Sequence, residues 1–433
     1  MRLQRVLASL LKQSQYKGLI ITNIAIISLL LTWLVLGGVY SLILERPLAK
    51  AVQAYRSEFP ATAANETALE LEALFKSNDS SFSDEVRTEI SDYLEPLRSE
   101  ETDKLIALPS SVENYLNVNS ETLAKIRGVL KNLPHWQQDD INRYLDPMAA
   151  YPERSNLAVY NRLLLVAAIK NYSLNQPAGV VENLEAAWQL RKSLDAQPDF
   201  IARLVTILIA NAQASVVRKF NGLPEDIRQK LLDVDDYPSL FAKSLGVENL
   251  IAANAIKRNY VIAGYDPESP NPSLFSPLLQ LFRQPYSRLL AIDWWKTNEA
   301  FLTEILSQDF CSLDLEEYQQ RFETSLADWN TLGIATASTG VWAGTGFDRL
   351  FKMMINWELT EKVLQVKELA AQTGSWPTSI PEIEFSTVCP SLRWNYQVSR
   401  DGSEMTISLL ESTRPEWLEQ NETDLPLIHR SKL

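Results

Sequence analysis

The chain has 433 residues, 46% of them hydrophobic, with 11 Trp, 15 Tyr and 14 Phe. That is enough apolar material for a sizeable core in two or three compact units, and it excludes global disorder. The net charge of −13 leaves an acidic body that repels phosphates and excludes a nucleic-acid footprint.

Residues 1–17 are a basic N-terminal stretch carrying Arg2, Arg5, Lys12 and Lys17, and the first acidic residue is Glu45. Between Gly18 and Leu44 no residue is charged. About 20 apolar residues cross a hydrocarbon core of about 30 Å, so residues 18–44 are predicted to be a transmembrane helix in contact with the lipid bilayer. A cleaved signal peptide has an apolar region of only about 7–15 residues, although Ala49-Lys50-Ala51 mimics its cleavage site. A buried soluble helix rarely runs so far without a charge. Tyr40 suits one membrane interface. The basic flank predicts a single-pass inner (plasma) membrane protein with a cytoplasmic N-terminus. The rest of the chain is then periplasmic or extracellular. Only in a eukaryote would the glycosylation sequons at Asn65, Asn78, Asn171 and Asn421 matter.

Residues 45–150 read as an acidic, helical, membrane-proximal region punctuated by Pro60, Pro96, Pro109 and Pro134. Val86, Ile90, Leu94 and Leu97 form one helical stripe, and the carboxylates around it read as a solvated face without calcium-loop spacing. His135 lies near Asp139 and Asp140, where it could act as a carboxylate-paired base. A lone histidine beside a helix start is the plainer reading, because no serine elbow or cysteine partner accompanies it. His135 and His429 are the only histidines, and with two cysteines they cannot make a structural zinc site. No catalytic, cofactor-binding or metal-ligating set is predicted.

Residues 151–348 read as a helical core domain. Two segments joined at Asn175-Gln176-Pro177 form an antiparallel helical pair. Ala186, Leu190 and Pro198 have the spacing of a tetratricopeptide second helix, but nothing recurs at 34 residues, which leaves a generic hairpin. The apolar run from Phe200 to Val217 carries Arg203, Asn211 and Gln213, as expected of a buried helix and not of a second span. A further helix leads to a loop with Pro267, Pro270, Pro272 and Pro277, then to a long helix from about Pro285. Its Trp294 and Trp295 are predicted to pack in the core and at its rim. The glycine-rich residues 333–346 lack a Gly-Lys-Ser/Thr ending, a leading strand and a GxGxxG pattern. They read as a loop between helices, and as the loop best suited to move or bind.

Residues 349–412 form a closing unit. A long amphipathic helix is predicted to end at Gly374 in the left-handed conformation, and Pro377 and Pro381 prevent its resumption. Two alternating runs follow, with Trp394 and Tyr396 on one face of the first and Met405, Ile407 and Leu409 on one face of the second. Arg400-Asp401-Gly402 supplies the hairpin turn. The turn at Gly374, Trp376 and Pro377 is expected to fix how the helix meets the hairpin. Trp376 and Trp394 are expected in the core, with contact to a partner as the alternative if they are exposed. Cys311 and Cys389 can form one disulfide in an oxidising compartment, or remain two buried thiols. Residues 413–433 read as a polar tail.

This order of long helix, Gly-Ser-Trp-Pro-x-x-Ile, Tyr-containing strand and Asp-Gly turn resembles the end of type II secretion pseudopilins. It also resembles a group of uncharacterised membrane-anchored bacterial proteins, whose middle region is similar to the hairpin at 155–220. Pseudopilin anchors follow a short leader ending in Gly and open with a Phe-Thr-Leu-Ile-Glu-like start. Both are missing here, which argues against a processed pilin subunit. The second group implies envelope localisation and brings no activity. The expected molecule is mainly α, with an N-terminal transmembrane helix, an extracytoplasmic domain of antiparallel helices and a small C-terminal β-hairpin. Its expected function is that of a scaffold, assembly factor or adaptor for an envelope protein. The alternatives are an extracytoplasmic hydrolase with carboxylate chemistry and a helical module that binds a small ligand.

Overall fold

A computed structural model describes residues 21–78, 83–145, 155–232, 237–258, 276–308, 310–330, 342–415, 418 and 427–433. Helix α1 (Ile21–Glu58) is long and apolar enough to cross a membrane, and little of it is buried. It contains a π-helical turn at Trp33–Gly37 and continues through Pro47, 14 residues beyond the predicted end of the apolar run.

The acidic region supplies α2 (Glu66–Asn78), α3 (Asp84–Ser99), α4 (Ser110–Val118), α5 (Ser120–Val129) and the short α6 (Ile141–Tyr144). Helix α3 is capped by Ser83, whose hydroxyl accepts from the Val86 amide, and it buries Ile90, Leu94 and Leu97 as the periodicity predicts. Pro96 lies inside α3, where it does not break the helix.

Helices α7 (Ser155–Ser173) and α8 (Pro177–Lys192) form the antiparallel pair. Asn175 takes a positive φ of 54° between them, and Pro177 opens α8, where a missing N–H costs nothing. Helix α9 (Phe200–Val217) is the centre of the molecule. It packs against α3, α7, α8 and two later elements, and most of its residues are buried, which makes it a core helix. Arg203 is held inside the core by its Nη2, which donates to the carbonyls of Leu194, Asp195 and Gln197 just after α8.

Then come α10 (Glu225–Leu232), α11 (Tyr237–Lys257), α12 (Ser276–Ser307), α13 (Leu315–Ser325) and α14 (Trp342–Thr373). Two predicted boundaries move. Helix α12 starts at Ser276 and carries Pro285 internally, and α14 starts at Trp342, so it takes up the end of the glycine-rich stretch. Gly346 is needed there, since a Cβ would lie 2.8 Å from Phe241 Cζ and 3.0 Å from Phe200 Cζ. Residues 333–341, with Pro267, Pro270, Pro272 and residues 1–20, lie outside the described residues. Trp294 is buried and Trp295 is partly so, as core and rim.

Helices α11 and α12 clasp the end of α1 in a core built from Leu48, Val247, Leu250, Ala291 and Trp294. Glu45 meets Lys257 and Arg288, and Lys243 meets Glu58 at 2.6 Å. Helix α11 therefore runs antiparallel to α1. At Gly246 a Cβ would fall 1.8 Å from Tyr55 Oη, so this glycine admits the tyrosine of α1.

The closing sheet has three antiparallel strands in the order β1 (Trp394–Val398), β2 (Glu404–Leu409), β3 (Ile428–Lys432). The predicted hairpin is β1–β2, with Trp394 opposite Leu409 and Gly402 at φ +71° in the turn. The predicted tail is corrected: residues 428–432 alternate partly exposed and buried positions and add a third strand along β2. Helix α14 belongs to two cores. Phe347, Leu350, Phe351 and Trp357 face the helical body, while Ile355, Leu359, Val363 and Val366 underlie the sheet.

Candidate functional site

Four segments distant in sequence converge where the helical body meets the sheet. Beyond β3 runs the stretch before α4, paired through a parallel bridge between Thr102 and Arg430 and an Arg430 N–H to Glu101 carbonyl bond of 2.7 Å. This stretch presents Asp103. The end of α9 brings Arg218 and Lys219, α14 brings Lys367, and β3 brings His429 and Ser431. All except Asp103 are buried.

Lys367 Nζ lies 2.6 Å from Asp103 Oδ1 and donates to the Arg218 carbonyl at 2.7 Å. His429 Nε2 lies 3.0 Å from the same carboxylate oxygen. Lys219 Nζ donates to the Thr102 carbonyl at 2.6 Å. The Arg218 guanidinium donates to Asn356 Oδ1 at 2.8 Å and Thr360 Oγ1 at 3.2 Å. One cation, Lys367, thus pairs directly with the carboxylate, while Arg218 and Lys219 lie within its field. Burial works against the ionised Asp103, but the hydrogen bond from His429 and the charge of Lys367 prevail and hold its pKa down at about 2. Burial drives His429 down to about 3 despite Asp103, so it is neutral at physiological pH. Lys219 is lowered to about 8, by burial first and then by the neighbouring Arg218.

Asp, His and Ser side by side invite comparison with a nucleophilic triad. In a triad the serine and the carboxylate occupy opposite ring nitrogens of the histidine. Here Ser431 Oγ, at 3.3 Å, and Asp103 both meet Nε2, and buried Nδ1 has no hydrogen-bond partner among the described residues. A histidine held neutral to about pH 3 is also a poor base at pH 7. The arrangement is a junction and not a relay.

Against this junction lies a groove of about 400 Å³ between the turn after α9, the last turns of α14 and the chain after β3. Gly222, Lys367, Gly374, Trp376 and Lys432 line it, and the Arg228–Glu368 ion pair stands at its side.

The predicted site residues are placed as follows. Gly374 has φ +72° and its N–H bonds to the Ala370 carbonyl, which ends α14 in a left-handed turn. Trp376 is buried against the sheet, its Nε1 3.4 Å from the Ser403 carbonyl, and the Pro377 carbonyl accepts from Tyr396 Oη at 2.7 Å. Trp394 is 1% exposed. Trp394 is therefore corrected as a partner-contact residue, being spent on the core beneath the turn, while Trp376, largely buried in the same core, keeps an edge on the groove. Cys311 and Cys389 are joined in a disulfide with Cα atoms 5.7 Å apart. His135 is exposed, and its two candidate carboxylates are engaged elsewhere, Asp139 with Arg143 and Asp140 with Arg56 and the start of α6. Among the described residues no three His, Cys, Asp or Glu side chains converge as metal ligands.

A carboxylate with unusual chemistry lies on α11. Glu248 is pushed up to about 7, by burial first and then by Asp199. One turn before it, the buried Ser244 hydroxyl has no partner among the described residues. Compared with known proteins, the chain matches no family model, no curated protein and no solved structure.

Proposed function

We propose that this protein is a single-pass, membrane-anchored scaffold or adaptor whose body lies outside the cytoplasm and acts through contacts with an envelope protein. The observation that carries the reading is the mount of α1. Its apolar part runs without a break into a segment clasped by α11 and α12, with Glu45 between Lys257 and Arg288 and Tyr55 seated over Gly246. A rigid mount of this kind fixes the height and orientation of the body over a bilayer, which a scaffold needs and a freely tethered enzyme does not. The Cys311–Cys389 bond supports the extracytoplasmic side, because disulfides persist in oxidising compartments. The groove beside Lys367 and Gly374 is the surface best shaped to receive a partner segment.

The test is photo-crosslinking of the full-length protein in its native membrane, from probes at Asn221 in the groove and at Lys125 on the exposed surface of α5. A reproducible partner captured from Asn221 and not from Lys125 supports the scaffold. Capture of bystanders alone from both positions removes it.

A second reading, hydrolysis through carboxylates, draws on Glu248, a carboxylic acid still half protonated near pH 7 beside Asp199 and Ser244. Turnover of an ester or glycoside that Glu248→Gln abolishes would support it. Equal background rates in the two proteins would remove it.

A further inference from the structure

Every residue of α1 from Ile21 to Trp33 is exposed, and from Leu34 onward one stripe is covered: Leu34, Gly37, Ser41, Leu44 and Leu48. The cover is α12, which packs against both the turn Trp33–Gly37 and the remainder of α1. Two contacts set the register. Arg288 reaches Glu45, and Glu299 flanks the Gly246 position into which Tyr55 points. The pairing advances along both chains together, so α12 runs parallel to α1. Stepping back along both helices from the Glu45–Arg288 pair brings Arg283 level with Tyr40 and Ser276 level with Trp33. Packing of α12 against Trp33–Gly37 agrees with this register.

At these heights the uncovered face of α1 is still apolar. Val35, Leu36, Val39, Tyr40, Leu42 and Ile43 are all at least half exposed, and no charged residue lies between Lys17 and Glu45. The first turns of α12 run beside that face, and Leu278, Leu279, Leu281 and Phe282 fall within them. Small residues at 37, 38 and 41 of α1 allow close helix approach of the kind used inside membranes. Exposed Arg283, level with Tyr40, fits the headgroup layer, where arginine and tyrosine are favoured. From there to Ser276 is about 10 Å along the helix, the depth at which interfacial helices seat their apolar faces.

We infer that residues 276–284 of α12 dip into the bilayer beside α1 as a second lipid-contacting element, so the body sits on the membrane surface and is not held above it by a stalk. This rests on reading α1 as a membrane span. The test uses the full-length protein, with its native disulfide, in phosphatidylcholine vesicles containing spin-labelled acyl chains. An environment-sensitive fluorophore is placed on Leu279→Cys, on Ile27→Cys in α1 and on Leu69→Cys on exposed α2. Leu278→Cys serves as a second probe of the same turn, and helicity is checked by circular dichroism. The expected result is a more than two-fold fluorescence loss at 27 and at 279 or 278, with little change at 69. Quenching at 27 with 278 and 279 behaving like 69 overturns the insertion and leaves the anchor standing. No quenching at 27 overturns the anchor and the insertion with it.

Discussion

At the scale of single residues the junction at Asp103 dominates. Removing one partner from a buried ionic cluster leaves uncompensated charge, which costs about 3–5 kcal/mol. Asp103→Asn is therefore expected to lower the unfolding free energy by about 3 kcal/mol, read as a shift of the denaturant midpoint, because Lys367 loses its paired carboxylate and Lys219 and Arg218 lose a nearby negative charge. The pH dependence follows from His429. The unfolded side chain takes up a proton near pH 6.5, while the folded one resists to about 3, so the unfolded state binds more protons between those values. Stability should be complete above about pH 6.5 and fall as the pH drops towards 3, by up to about 1.4 kcal/mol per pH unit. The lowered Asp103 adds a further loss below about pH 4. His429→Gln can keep the donor to Asp103 and should flatten the upper part of that profile in midpoint-against-pH measurements; an unchanged profile would show that His429 does not govern it. None of this junction is legible in the sequence. Asp103 is one of 54 carboxylates, and His429 sits in a stretch that reads as polar tail, because the contacts that matter join residues 326 positions apart.

At the scale of elements, periodicity identifies α3, α7, α8 and α9, and Arg203 correctly separates α9 from a membrane span. The misplaced boundaries share a physical reason. Pro96 and Pro285 lie inside helices because tertiary packing outweighs the lost hydrogen bond. Residues 342–346 are helical because aromatic rings of α9 and α11 close over Gly346. The hairpin is legible from its Asp-Gly turn, whereas β3 carries a single apolar residue, Ile428, so no apolar alternation announces it. The clasp on α1 gives a sharp prediction. Gly246→Ala must displace the Tyr55 ring and is expected to cost about 2–3 kcal/mol by overpacking. In Tyr55→Ala the same substitution should cost far less, a non-additivity measurable by thermal unfolding of the four proteins in detergent. Equal costs in the two backgrounds would mean that Tyr55 does not fill that site.

For the whole molecule, the disulfide fastens the segment after α12 to the core under the sheet across 78 residues of chain. Loop-closure entropy puts its contribution at about 4 kcal/mol. Reduction, or Cys389→Ser, is expected to lower the melting temperature and to speed hydrogen exchange in the closing unit before the helical body. Uniform exchange in both units would mean that they unfold as one. The sequence exposes the two cysteines and leaves their pairing open, since only the fold sets 5.7 Å between their Cα atoms. The same long reach governs how the chain is made. Asp103 leaves the ribosome 326 residues ahead of His429, a wait of roughly 15–65 s at ordinary synthesis rates. For nearly all of it β2 is itself unmade, and Asp103 and Lys367 wait without the histidine that completes their cluster. The seam between helical body and sheet therefore closes only once β3 is made, which makes it a late event in the life of the chain.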